Sequence, residues 1–110
     1  MPAPDVEAQL LALKQDYAQR LPERVAALRA QTVSLASAWD DAAALELRRL
    51  LHNLAGSGAS YDLPKVSASA RSAEFALAAL IEERARRVAH GFAPLHAALD
   101  ELQAAATAPR

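Results

Sequence analysis

The chain has 110 residues, with 12 Lys and Arg against 13 Asp and Glu, and no cysteine. That length can bury a core without staples, while the balanced charge argues against nucleic-acid binding, which needs a basic excess. Missing thiols exclude disulfides, CxxC redox chemistry and thiolate metal sites, and no apolar run approaches the ~20 residues that cross a bilayer.

The start "MPAPDVEAQL" lacks a basic segment followed by a hydrophobic one, so a soluble, cytoplasmic protein with no membrane partner is expected. Alanine, leucine, arginine and glutamate dominate and there are three glycines, a mix that favours helix. Asp5 can cap a first helix in which Val6, Leu10, Leu13 and Tyr17 form one apolar stripe. Leu21-Pro22 predicts a bend, because proline suits the first turn of a helix and disfavours a helical residue before it. A second helix from about Pro22 to Ser37 then points Val25, Leu28, Thr32 and Leu35 inward. After the short linker "ASAWDD", whose Trp39 is expected to plug the bundle end, Asp40 or Asp41 caps a third helix. Its stripe is Ala44, Leu47, Leu51, Leu54, Gly58 and Tyr61.

Asp62-Leu63-Pro64 ends that helix, and the next buries Val66, Ala70, Ala73 and Leu77. Ile81, Ala85, Val88, Phe92, Leu95, Leu99 and Leu102 continue a 4-3 rhythm, which predicts a final helix from about Glu82 to Ala105, kinked at Gly91 and Pro94. A rival division extends the fourth helix to about His90 and begins a short last helix at Pro94. No segment alternates with period two. The expected fold is all-α, an antiparallel four-helix bundle with an additional N-terminal helix, in a single domain spanning residues 1–110.

One stretch of the third helix invites chemistry, "LLHNLAGSGASYDL" from Leu50 to Leu63. With Leu47, Leu51 and Leu54 facing the core, His52 lies roughly 100° round the helix from Leu51, on the flank. Residues three and four away share its face: Arg48 and Arg49 before it, Ala55 and Gly56 after it, and Ala59 a turn further. One side of the imidazole is thereby stripped of bulk, so that another backbone can approach, and the other side carries two guanidinium groups suited to an anion. Gly58, on the core stripe, would let a neighbouring helix come close. A neutral imidazole is a nucleophile at cellular pH, and phosphoryl transfer needs mainly in-line positioning and charge stabilisation. A solitary exposed histidine is more often an ordinary surface residue, and spacing alone does not overturn that reading. His90 and His96 are not at ligand spacing on one face, so no metal site is expected.

The segment His52-Asn53-Leu54-Ala55-Gly56-Ser57, followed by Glu74 within "ASARSAEFAL", resembles the histidine-containing phosphotransfer (HPt) domain family. The stretch "VAHGFAPLHAAL", Val88 to Leu99, is similar to that family's final helix. The resemblance implies that His52 takes a phosphoryl group from a receiver-domain aspartate and passes it to another receiver, without an ATP site or cofactor of its own, Mg²⁺ being supplied by the receiver. The partners implied are response-regulator receiver domains and a hybrid sensor kinase, and a monomer is the simplest state. Many family members carry lysine where this chain has Ala55, so the positive charge is expected from Arg48, Arg49, Lys65 or the partner. Ser57 is expected to hydrogen-bond locally, to the phosphohistidine or to a carbonyl one turn back. Glu74 is either a structural hydrogen-bond partner in the bundle or solvated. Asp62 replaces a family glycine at the end of the third helix, and aspartate tolerates left-handed geometry well enough to keep the turn. The competing readings are a helical interaction module without phosphotransfer and the dimerisation domain of a histidine kinase. The latter class places an acidic residue, then threonine or asparagine, then proline after its histidine, unlike Asn53-Leu54-Ala55-Gly56.

Overall fold

The computed structural model describes residues 5–108, which form four α-helices and two short 3-10 turns with no strand among them. Helix α1 (Val6–Ser37) starts where the Asp5 carboxylate accepts the Ala8 amide at 3.1 Å. It runs unbroken through Pro22, so the separate N-terminal helix is not present; the two predicted segments are one helix. The physical reason lies in the stripe. Val6, Leu10, Leu13, Tyr17, Leu21, Val25, Leu28, Thr32 and Leu35 keep the helical period of about 3.6 residues across the proline without a phase jump. Leu21 and Val25, on either side of Pro22, are both fully buried. Their burial outweighs one lost backbone hydrogen bond. The first turns of this stripe find no partner, however: Val6, Leu10 and Leu13 are 60%, 51% and 53% exposed.

Helix α2 (Asp41–Ser60) is capped by Asp40, whose carboxylate accepts the Ala43 amide at 2.9 Å. Asp41 instead receives the Trp39 indole N–H at 2.7 Å. Trp39 closes that end of the bundle, with its ring edge-on to Phe92 and the Arg87 guanidinium 4.0 Å over its face. At the other end α2 stops in a Schellman turn. The Leu63 and Asp62 amides donate back to the Gly58 and Ala59 carbonyls, and Asp62 takes the left-handed conformation, φ 58°, that its side chain tolerates. Pro64 then opens α3 (Pro64–Glu82), where its missing N–H leaves no bond unmade.

Beyond Glu82 the structure departs from both sequence divisions. No helix runs through 83–90; the 3-10 turns Arg84–Arg86 and Ala89–Phe92 lead into α4 (Ala93–Thr107). The start of α4 agrees with the rival division, and Phe92, Leu95, Leu99 and Leu102 are buried as the stripe predicts. Ala85 and Val88 fall outside it and are exposed. Two side-chain facts end α3. The Arg87 guanidinium folds back onto the Leu80 and Ile81 carbonyls at 2.8 and 2.9 Å, satisfying acceptors that a continuing helix would have used. Gly91 passes so close to the Arg86 carbonyl oxygen that a Cβ there would lie 1.7 Å from it.

The helices alternate in direction. Tyr17 of α1 stacks on Tyr61 beyond the end of α2, with ring centroids 4.4 Å apart. Glu74 and Ser67 of α3 meet His52 and Ala55 of α2 in reverse order, and Arg29 of α1 pairs with Asp100 of α4 at 2.7 Å. Gly58 allows α2 and α3 their closest approach, since a Cβ there would stand 3.1 Å from the Ser67 amide nitrogen and 3.2 Å from Val66.

Candidate functional site

His52 sits near the middle of α2, held by buried neighbours Leu51 and Leu54, and its own side chain is 73% exposed. From the facing helix Glu74, only 20% exposed, brings both carboxylate oxygens to Nδ1, at 3.1 and 3.3 Å. A carboxylate accepts only, so Nδ1 carries the proton of the neutral ring and Nε2 is left with its lone pair. Of the two roles left open for Glu74, the hydrogen bond is the one the geometry favours.

Around the ring, α2 and α3 form a groove lined by Arg48, Ala55 and Gly56 on one wall and Arg71, Phe75 and Glu82 on the other. Ala55, placed by the wheel on the open flank, is buried at the floor, where its carbonyl accepts the Ser67 hydroxyl at 2.7 Å. Gly56 is different: a Cβ there would meet nothing within 4 Å, so no contact among the described residues calls for glycine. Phe75, which the sequence reading passed over, is 77% exposed.

The remaining residues singled out from sequence divide. Arg48 lines the groove one turn before His52. Arg49 does not; its guanidinium forms two bonds with Glu46, at 2.5 and 2.9 Å. That pairing holds the Glu46 carboxyl below its usual range and pushes Arg49 higher still. Ser57 turns to α1, sharing a 2.6 Å hydrogen bond with the Tyr17 hydroxyl and a longer one with the Leu54 carbonyl. Ala59 borders a second groove with Asp62 and Ser67, which Arg71 also reaches. Lys65 lies against the end of α4, beside Glu101 and Ala105, outside the His52 groove. Arg71 could have been found by taking Glu74 as the anchor on α3, because residues three apart share a flank, and Phe75 stands four after Arg71.

The arrangement is an exposed imidazole whose Nδ1 meets a carboxylate, in a groove lined by two arginines, on a helical bundle. A family model for the Hpt domain matches residues 12–106. The chain belongs to the Hpt domain family, whose members are helical modules that carry phosphoryl groups on histidine in phosphorelays and work with response-regulator receiver domains. No curated protein and no solved structure shows significant similarity to it. No helix among the described residues is long and apolar enough to cross a membrane.

Proposed function

We propose that His52 is the phosphoacceptor of a phosphorelay intermediate, receiving a phosphoryl group from one receiver-domain aspartate and delivering it to another. The observation that carries this reading is the Glu74 contact to Nδ1, which leaves Nε2 free on the side that Gly56 keeps open. In the forward step the Nε2 lone pair attacks phosphorus in line, the N–P bond forms, and the P–O bond to the receiver breaks to release its carboxylate. The Nδ1 proton stays in place, and the Glu74 carboxylate faces the positive charge that the ring gains. Return to a second receiver runs the same exchange in reverse.

The chain works here as a monomeric cytoplasmic carrier without an ATP site or a cofactor of its own; the receiver brings Mg²⁺. A hybrid sensor kinase is the upstream source. Incubation with a phosphorylated receiver domain tests the reading. The protein should acquire label that is acid-labile and alkali-stable, and His52→Gln should acquire none. An unlabelled wild-type chain would leave only a helical interaction module. A stable dimer in solution would favour the kinase dimerisation alternative.

A further inference from the structure

Two contacts set the register of α3 on α2: Glu74 meets His52, and Ser67 meets the Ala55 carbonyl two turns away. Arg71 lies between them on α3 and comes up beside Ala55 and Gly56, with which it lines the groove. Its side chain is exposed, and among the described residues no hydrogen bond or ion pair engages it. Three other cations near this end of the bundle are paired or turned away. Arg49 is bound to Glu46, Lys14 to Asp62, and Lys65 lies against α4. Arg48 shares the groove but stands on the opposite side of the imidazole from Ala55, one turn earlier on α2.

A phosphoryl group brings roughly two negative charges. On Nε2 it would enter a groove that already holds the Glu74 and Glu82 carboxylates. Ala55 offers no charge on the Gly56 side of the ring. A guanidinium presents a planar fork that fits two phosphoryl oxygens at once. We propose that Arg71, reaching across Ala55 and Gly56 from the facing helix, binds the phosphoryl oxygens on His52, with Arg48 closing on them from the other side. The cation of the site is thus carried by the helix opposite the nucleophile. This inference rests on His52 being the phosphoacceptor.

The test uses the full chain and phosphoramidate as donor, so that no receiver surface contributes. In that reaction the P–N bond to the donor breaks, ammonia leaves and the N–P bond forms on the imidazole. Phosphohistidine formation is followed by ³¹P NMR for the wild type, Arg71→Gln, Arg71→Lys and, as a charge control, Arg20→Gln. Arg71→Gln should react about tenfold more slowly, the weight of one charge-assisted hydrogen bond, with an unchanged thermal midpoint. Arg71→Lys should recover most of the rate, and Arg20→Gln should match the wild type. Arg71→Gln reacting at the wild-type rate, or Arg71→Lys no faster than Arg71→Gln, would overturn the assignment. A wild-type chain that takes no phosphoryl group, or a His52→Gln variant that still takes one, would instead refute the phosphoacceptor reading, and this inference with it.

Discussion

Glu74 and His52, 22 positions apart in the chain, meet across the α2–α3 interface with carboxylate oxygen and Nδ1 3.1 Å apart. The ring is therefore oriented by a neighbour on another helix, and one of its nitrogens is committed. Replacing Glu74 by Ala should free the ring and mix its tautomers, which ¹⁵N NMR of the imidazole reads directly. Phosphorylation of His52 should slow about tenfold, as expected for one charge-assisted hydrogen bond of ~1.5 kcal/mol. Glu74→Gln keeps an acceptor and should lie between the two. A wild-type tautomer ratio in Glu74→Ala would show that the contact does not orient the ring.

Gly56 and Gly58 are neighbours in sequence with opposite environments, and alanine scanning should separate them. A methyl group at 56 meets nothing, so Gly56→Ala should stabilise the fold by about 0.5–1 kcal/mol through helix propensity. At 58 the same methyl presses on the Ser67 backbone, which cannot rotate away, and Gly58→Ala should lose about 1–2 kcal/mol net of that gain. Urea denaturation measures both.

A large side chain at the open wall should act on transfer and leave folding intact. Gly56→Gln, at the His52 groove, and Ala59→Arg, one turn further at the second groove, should melt near the wild type yet accept phosphoryl from a receiver domain several-fold more slowly. With phosphoramidate, which needs no docked protein, the Ala59→Arg rate should change far less. Equal slowing with both donors would count against a docking role for this wall.

Gly91→Ala tests the connection between α3 and α4. Its Cβ would fall 1.7 Å from the Arg86 carbonyl oxygen, a backbone atom, so the two 3-10 turns would have to separate. A loss of about 3 kcal/mol is expected. Fluorescence of Trp39, which touches both Arg87 and Phe92, should report the change.

Asp62 is held below the ordinary carboxylate range by its hydrogen bond to Lys14, at 2.6 Å. A depressed folded-state value means that this contact favours folding above the unfolded value of about 3.9 and loses that contribution as pH falls through the folded one. Both groups are exposed, so the effect on overall stability should be small. The clear readout is local: Asp62 should titrate below its usual range by NMR, and Lys14→Gln should return it there.

Helix class, the α2 stripe, the left-handed Asp62 and the buried positions of α4 were legible because each depends on neighbours in sequence: periodicity, a cap, or a turn residue. The two misjudged segments show where such local reasoning ends. Pro22 reads as a break until the burial of Leu21 and Val25 on both sides is known, although the uninterrupted phase of the stripe was available. Residues 83–90 keep a helical rhythm on paper, but Ala85 and Val88 are too small and too few to hold it against Arg87 capping α3 and Gly91 tucking under Arg86. At the site, the residue types on His52's own helix could be named from spacing. What stands opposite depended on the register between α2 and α3, and Glu74 was the one residue singled out from which Arg71 and, four positions on, Phe75 could have been placed.

The overhang of α1 has a consequence of its own. Before Tyr17 the leucines of the helix stand exposed among the described residues; the Asp5 cap and the Lys14–Asp62 contact hold it there. From Leu21 to Leu35 it is core. One uninterrupted rod should thus open unevenly, its amides exchanging with deuterium quickly at residues 9–13 and only on global unfolding near 28–35. Fraying would travel inward from one end and stop where the tyrosines stack.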